Sequence, residues 1–143
     1  MPKISDSRTV SLPREKIYAL MMDIEKYPSF IPFIRAARFT KRGEKESHAR
    51  LRLGVAGIGF SYTCKIVETP YDEILIHAIE GPFEHLRARL TFEDAGKGKT
   101  RIGYEFESRF RSRRMNAVVD PIFNTLLKNT LRDVERYILR ELL

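Results

Sequence analysis

Over residues 113–143, Val119, Ile122, Phe123, Leu126, Leu127, Leu131, Val134, Ile138 and Leu142 recur every three or four positions. That period draws one apolar stripe along a long helix, and a stripe of such length has to be covered by another element. The chain before it offers one large partner. Between residues 34 and 110 the apolar period shortens to two, in segments 35–41, 47–55, 60–68, 73–79, 86–92 and 101–110, separated by Gly, Pro, Asp and Lys clusters. Six successive strands predict an antiparallel meander. In 86–92 and 101–110 the alternation is clean, with Leu86, Ala88, Leu90 and Phe92 on one face and Arg87 and Arg89 on the other. A hairpin centred on Lys97 then places Arg89 opposite Glu105 and Arg87 opposite Glu107, two favourable cross-strand pairs.

Upstream, residues 3–11 read as a first strand. Pro13 opens a helix that runs from 12 or 13 to about 23, carried by Ile17, Leu20, Met21 and Ile24. Pro28 and Pro32 forbid a regular continuation, so 27–33 is expected to be a short irregular connection of unusually apolar content. Pro121 marks a kink in the terminal helix, whose start is placed earlier. The order strand, helix, six strands, long helix specifies an α+β domain, one unit over residues 1–143, with helices covering one side of a curved sheet and leaving a space between.

The longest apolar run, residues 17–22, is six long, against the roughly 20 that a spanning helix needs. The charged N-terminus lacks the apolar stretch of a signal peptide, so a cytoplasmic chain is expected, with peripheral contact at the inner membrane as one option. Chemistry is sparse. His48, His77 and His85 have no metal-ligand spacing, and Cys64, alternating with Phe60, Tyr62 and Ile66, reads as a small buried hydrophobe. The glycines at 54, 57 and 59 join two strands without opening a helix, which makes them a turn or bulge and not a dinucleotide loop. No catalytic residue and no metal is predicted.

The segment Tyr27, Pro28, Phe30, Pro32, following a helix and preceding a strand, resembles the Tyr-Pro-x-Phe-x-Pro segment of the START-like coenzyme-Q-binding and polyketide-cyclase family. The opening strand, first helix, Phe106-Glu107 strand end and terminal helix are similar as well. Phe33-Ile34 stands where many members have an aromatic residue followed by Cys. The resemblance implies a helix-grip fold, about seven antiparallel strands wrapped around the terminal helix, and noncatalytic binding of ubiquinone or a similar isoprenoid quinone in support of respiratory electron transfer. The expected ligand-binding residues are Tyr27, Pro28, Phe30, Pro32 and Phe33, then Leu51, Leu53, Phe60, Tyr62, Leu90, Tyr104 and Phe106 from the strands, with Val119, Phe123 and Leu127 from the helix. A polyprenyl tail needs a long apolar lining and the quinone carbonyls a few donors near an opening.

The net charge of +7 is unevenly placed. Arg35, Arg38, Lys41, Arg42, Lys45, Arg50 and Arg52 face only Glu44 and Glu46 in the same stretch, and Arg109, Arg111, Arg113 and Arg114 form a second cluster without an acid. From these, Arg35, Arg38, Lys41, Arg42, Arg109, Arg111, Arg113 and Arg114 are the expected anionic-surface residues, suited to lipid headgroups or to ribosomal RNA. The chain is also very similar to bacterial ribosome-association toxins, which implies an alternative role: binding the large ribosomal subunit and blocking subunit association. A cyclase-like enzyme is a third reading, and no contact with DNA is expected.

Overall fold

A computed structural model describes residues 3–143. Its seven strands are β1 (Lys3–Val10), β2 (Ile34–Lys41), β3 (Glu46–Val55), β4 (Ile58–Thr69), β5 (Glu73–Glu80), β6 (Phe83–Asp94) and β7 (Thr100–Phe110). They form one antiparallel sheet in the order β1-β7-β6-β5-β4-β3-β2. The meander is therefore as expected, and β1 closes it by pairing with the last strand, Lys3 opposite Glu107 and Val10 opposite Thr100. The β6–β7 register puts Arg89 opposite Glu105 and Arg87 opposite Glu107, as the alternation requires. The charge pairing is less symmetrical: Arg89 Nε donates to Glu73 at 2.6 Å and lies 3.8 Å from Glu105, while Arg87 has no ion pair among the described residues.

Helix α1 (Arg14–Met22) starts after Pro13, whose carbonyl accepts from Lys16 and Ile17. The connection that follows is more regular than expected. Residues Ile24–Ser29 wind into a short 3₁₀ helix that contains Pro28 near its end, where proline's fixed φ of about −65° fits the 3₁₀ range.

The tail is not one helix. It divides into α2 (Arg113–Val118), α3 (Asp120–Leu127) and α4 (Thr130–Tyr137), ending in a wider turn over Ile138–Leu142. The first break is the one that Pro121 announces. The second, at Lys128–Asn129, has no proline or glycine; there Asn129 leaves helical geometry at φ −98°, ψ 3°. Val119, Phe123, Leu127, Leu131, Val134 and Ile138 are all buried, whereas Ile122 and Leu142 fall outside the covered stripe and are exposed. Asn116 fixes where the tail begins. Its side chain accepts from the Phe110 amide at 2.9 Å and donates to the Phe110 carbonyl at 2.8 Å, completing the last residue of β7 as a neighbouring strand would.

Candidate functional site

Between the inner face of the sheet and α3 lies an apolar cavity of about 70 Å³. Ten of the expected residues line it: Tyr27, Phe33, Leu51, Leu53, Tyr62, Leu90, Tyr104, Phe106, Phe123 and Leu127. Five do not. Pro28, Phe30 and Pro32 instead line a second groove shared with Tyr137, where the chain leaves the 3₁₀ turn; Phe30 is buried there, but away from the cavity. Phe30 stacks there on Tyr137 with ring centres 4.7 Å apart. Phe60 has the inward register but sits beyond the end of the cavity, clustered with Phe83, Phe110 and Phe123 at 5.5–6.3 Å. Val119 is buried at the α2–α3 break, outside the lining.

Residues missed from the sequence complete the wall, among them Met21, Ile31, Cys64, Ala88 and Thr130. Cys64 and Ala88 share the strand alternation of residues already named, so that signal was present. The polar groups of the wall are held neutral. Burial raises the Tyr62 and Tyr104 hydroxyls above the ordinary range and pushes the Cys64 thiol up to about 12. The Tyr27 hydroxyl, raised the same way, donates to the Met21 carbonyl at 2.6 Å. No carboxylate or imidazole is among the described lining residues, so the wall presents neutral hydroxyls and a neutral thiol to anything inside it.

Size decides what the cavity holds as it stands. Ligand pockets are typically about 300–1,000 Å³, and an engineered dry cavity of about 150 Å³ binds a benzene ring. At about 70 Å³, the space is below both, so the grip of sheet on helix is close to filled by its own side chains.

The outer face of the sheet carries the charge. By register Arg38 stands directly opposite Arg50, Ala36 opposite Arg52, and Lys41 opposite His48. Arg35 occupies the bulge between Ile34 and Ala36, which turns its side chain over Gly54. Arg35, Arg38, Arg50 and Arg52 are exposed and have no carboxylate partner among the described residues. The other expected basic residues divide. Arg42 lies 4.1 Å above the Phe39 ring, and Arg109 is ion-paired with Glu84 at 3.1 Å, so neither is free in the way expected. Arg111 Nε donates to the Gly81 carbonyl at 3.4 Å, and Arg113 and Arg114 project from the first turn of α2. Strands β4, β5 and β6 stand between the two clusters in the sheet. His48, His77 and His85 all have outward register, away from the cavity.

A family model described as polyketide cyclase / dehydrase and lipid transport matches residues 10–135. The ribosome association toxin RatA of Vibrio cholerae is 26% identical over 136 residues, covering 95% of this chain and 94% of that protein. Among solved structures, a protein of Thermus thermophilus superposes with a TM-score of 0.83 at 15% identity, covering 96% of this chain and 97% of that one. A START superfamily protein of Mycobacterium smegmatis gives 0.76 at 18% identity, covering 95% and 93%. These structures share the helix-grip fold with this chain, and at such identity they speak for the fold alone.

Proposed function

The chain belongs to the polyketide cyclase / dehydrase and lipid transport family, and from that premise we propose that it works without chemistry, by associating with the ribosome and hindering the joining of its subunits. The observation that carries this reading is the filled grip. A cavity of about 70 Å³ lined by neutral groups has neither room for a carried lipid nor an acid–base pair for cyclisation. What the fold leaves exposed is a basic exterior. Support comes also from the V. cholerae relative, the ribosome association toxin RatA, which corresponds to this chain over nearly its full length. The partner on this reading is the large ribosomal subunit in the cytoplasm. In sedimentation at low salt, the purified protein is expected to travel with large subunits, to leave them as salt rises, and to lower the yield of joined ribosomes. Failure to sediment with ribosomes at low salt overturns the reading.

A second reading rests on the lining itself. The wall is apolar along its length, with Tyr62 and Tyr104 as the donors a quinone carbonyl requires, so isoprenoid quinone binding is served by the same residues if α3 moves outward. Arg111, Arg113 and Arg114, beside exposed Val118 and Ile122, then form the contact with an anionic membrane. Native mass spectrometry with lipid extraction separates the two: copurifying ubiquinone, or saturable uptake of added ubiquinone, selects the second.

A further inference from the structure

We propose that Arg35, Arg38, Arg50 and Arg52, on the outer face of β2 and β3, dock on the phosphate backbone of double-stranded RNA. The proposal rests on the ribosomal reading and assigns it a surface. Three features of the face carry it. The first is a broken rule of sheet chemistry: like charges directly opposite each other are destabilising, yet Arg38 faces Arg50, with Arg52 two residues further along β3 and no carboxylate among the described residues paired to any of them. Along one strand, Arg50 and Arg52 are roughly 6.7 Å apart, a spacing comparable to the step between successive phosphates on a nucleic-acid strand.

The second feature is the floor. The groove beneath these side chains, about 230 Å³, is walled by Ala36, Ala37 and Ser61, residues too small to obstruct a close approach. Gly54 and Gly59 are paired across β3 and β4. A β-carbon on Gly54 would lie 2.8 Å from Arg35 Nε, and one on Gly59 would lie 3.5 Å from Arg52 Nη2. The glycines that the sequence marks as a turn thus also leave the space that the Arg35 and Arg52 side chains occupy. Arg50 is steadied by donating to Thr63 Oγ1 at 3.1 Å, which leaves its other donors free.

The third feature selects the ligand. Single-stranded RNA is bound by stacking bases on exposed aromatic rings, and the outward positions of β2 and β3 present no open ring; Phe39, the nearest, is capped by Arg42. A bilayer surface calls for apolar side chains beside the cations; Ile58 at the hairpin end is exposed, but it shares the register of Val55, on the opposite face of the sheet from the arginines of β3. Planar forks with no stacking ring and no inserting side chain suit the backbone of an A-form duplex, which proteins recognise largely by shape and phosphate contact.

The test compares three full-length proteins: wild type, Arg38→Glu/Arg50→Glu/Arg52→Glu, and a charge-matched control, Lys97→Glu/Lys99→Glu/Arg132→Glu. Each is titrated with a duplex RNA of about 20 base pairs, with purified large ribosomal subunits, and with vesicles of phosphatidylcholine and phosphatidylserine. The β2–β3 variant is expected to bind duplex and subunits about 100-fold more weakly at low salt, and its log–log salt slope to fall by about 2 to 3. The control is expected to stay within about threefold of wild type. Circular dichroism and thermal melting verify folding, and the milder Arg38→Gln/Arg50→Gln/Arg52→Gln protein replaces a variant that does not fold. Equal loss in the control overturns the assignment, as does a β2–β3 variant that binds RNA normally, including one that loses only vesicle binding. Loss of subunit binding when wild type shows no affinity for duplex RNA points to a ribosomal protein and also overturns it. Wild type that ignores ribosomes at low salt defeats the functional reading; wild type and β2–β3 variant that bind them equally defeat only this surface.

Discussion

The outer face of one sheet is built in two ways. Across β5, β6, β7 and β1 most close contacts pair opposite charges, Arg87 and Arg101 apart: Glu73 holds Arg89 at 2.6 Å, Glu105 lies between Arg89 and Lys3, and Glu84 takes Arg109. Across β2, β3 and β4 the pattern of outward positions is the same, but among the described residues the only close ion pair is Lys65 with Glu46 at 3.0 Å, and four arginines are left without one. Strand alternation demands only that outward positions be polar. It does not demand that they repel. A half-sheet that satisfies itself contributes to holding the fold, whereas one that carries an internal like-charge pair holds potential for something outside it.

The comparison presumes one frame beneath both halves, and Phe123 is where that frame is most exposed to attack. Its ring meets Phe60 and Phe33 from the β2–β4 side and Phe106 and Phe110 from β7. Phe123→Ala is expected to lower unfolding free energy by about 3–5 kcal/mol in a denaturant titration, with both halves losing amide protection together. Protection lost from one half alone breaks the picture of a shared frame.

Alkali should strike the same layer. The buried Cys64 thiol is raised from 9.0 to about 12, so below pH 9 both folded and unfolded chains keep the proton. Above pH 9 only the unfolded chain releases it, and stability falls, by about 4 kcal/mol at pH 12 from this group alone. Cys64→Ala flattens that part of the profile if the cause is right; an unchanged profile assigns the loss to other groups.

Smaller effects separate the halves by sign. Arg89→Ala strips Glu73 of its partner and is expected to lower the melting temperature slightly, whereas Arg38→Glu turns a repulsive pair into an attractive one with Arg50 and is expected to raise it slightly. Thermal melts at low salt read both, and equal signs remove the distinction. The smallest expected change is Gly54→Ala, which pushes Arg35 out of the space it occupies and should weaken duplex RNA binding about two- to threefold without shifting the melting temperature by more than about 2 °C. A binding curve superimposable on wild type removes Arg35 from the proposed surface.

Much of this architecture is legible in the sequence, and the reason is periodicity. Period two locates six strands and the Arg89–Glu105 register, and the three-to-four period locates the helical stripe. Local rules do not reach further. Nothing around Lys128 and Asn129 marks the second helix break, and β1 gives no sign that its partner lies about a hundred residues away. For the cavity, inward parity predicts Leu51, Leu53, Tyr62, Leu90, Tyr104 and Phe106, but it carries no information on depth, so it also assigns Phe60 to a wall that ends before it. Pro28, Phe30 and Pro32 fall outside the cavity because the facing of a 3₁₀ turn depends on what it packs against. Charge counting finds the basic stretches, but which cations are spent on Phe39 or Glu84 is a matter of tertiary neighbours.

The pairing of β1 with β7 also sets a timetable. Of the seven strands of this sheet, β1 is made first and has no neighbour until β7, the last, emerges, so Lys3 waits for Glu107. Closure of the longest loop therefore comes late, and the entropy of closing it is expected to slow the final step of refolding. Throughout that interval β1 is an open edge, and its polar run Ser5-Asp6-Ser7-Arg8-Thr9, with only Ile4 and Val10 apolar, keeps it too polar to recruit a wrong partner while it waits.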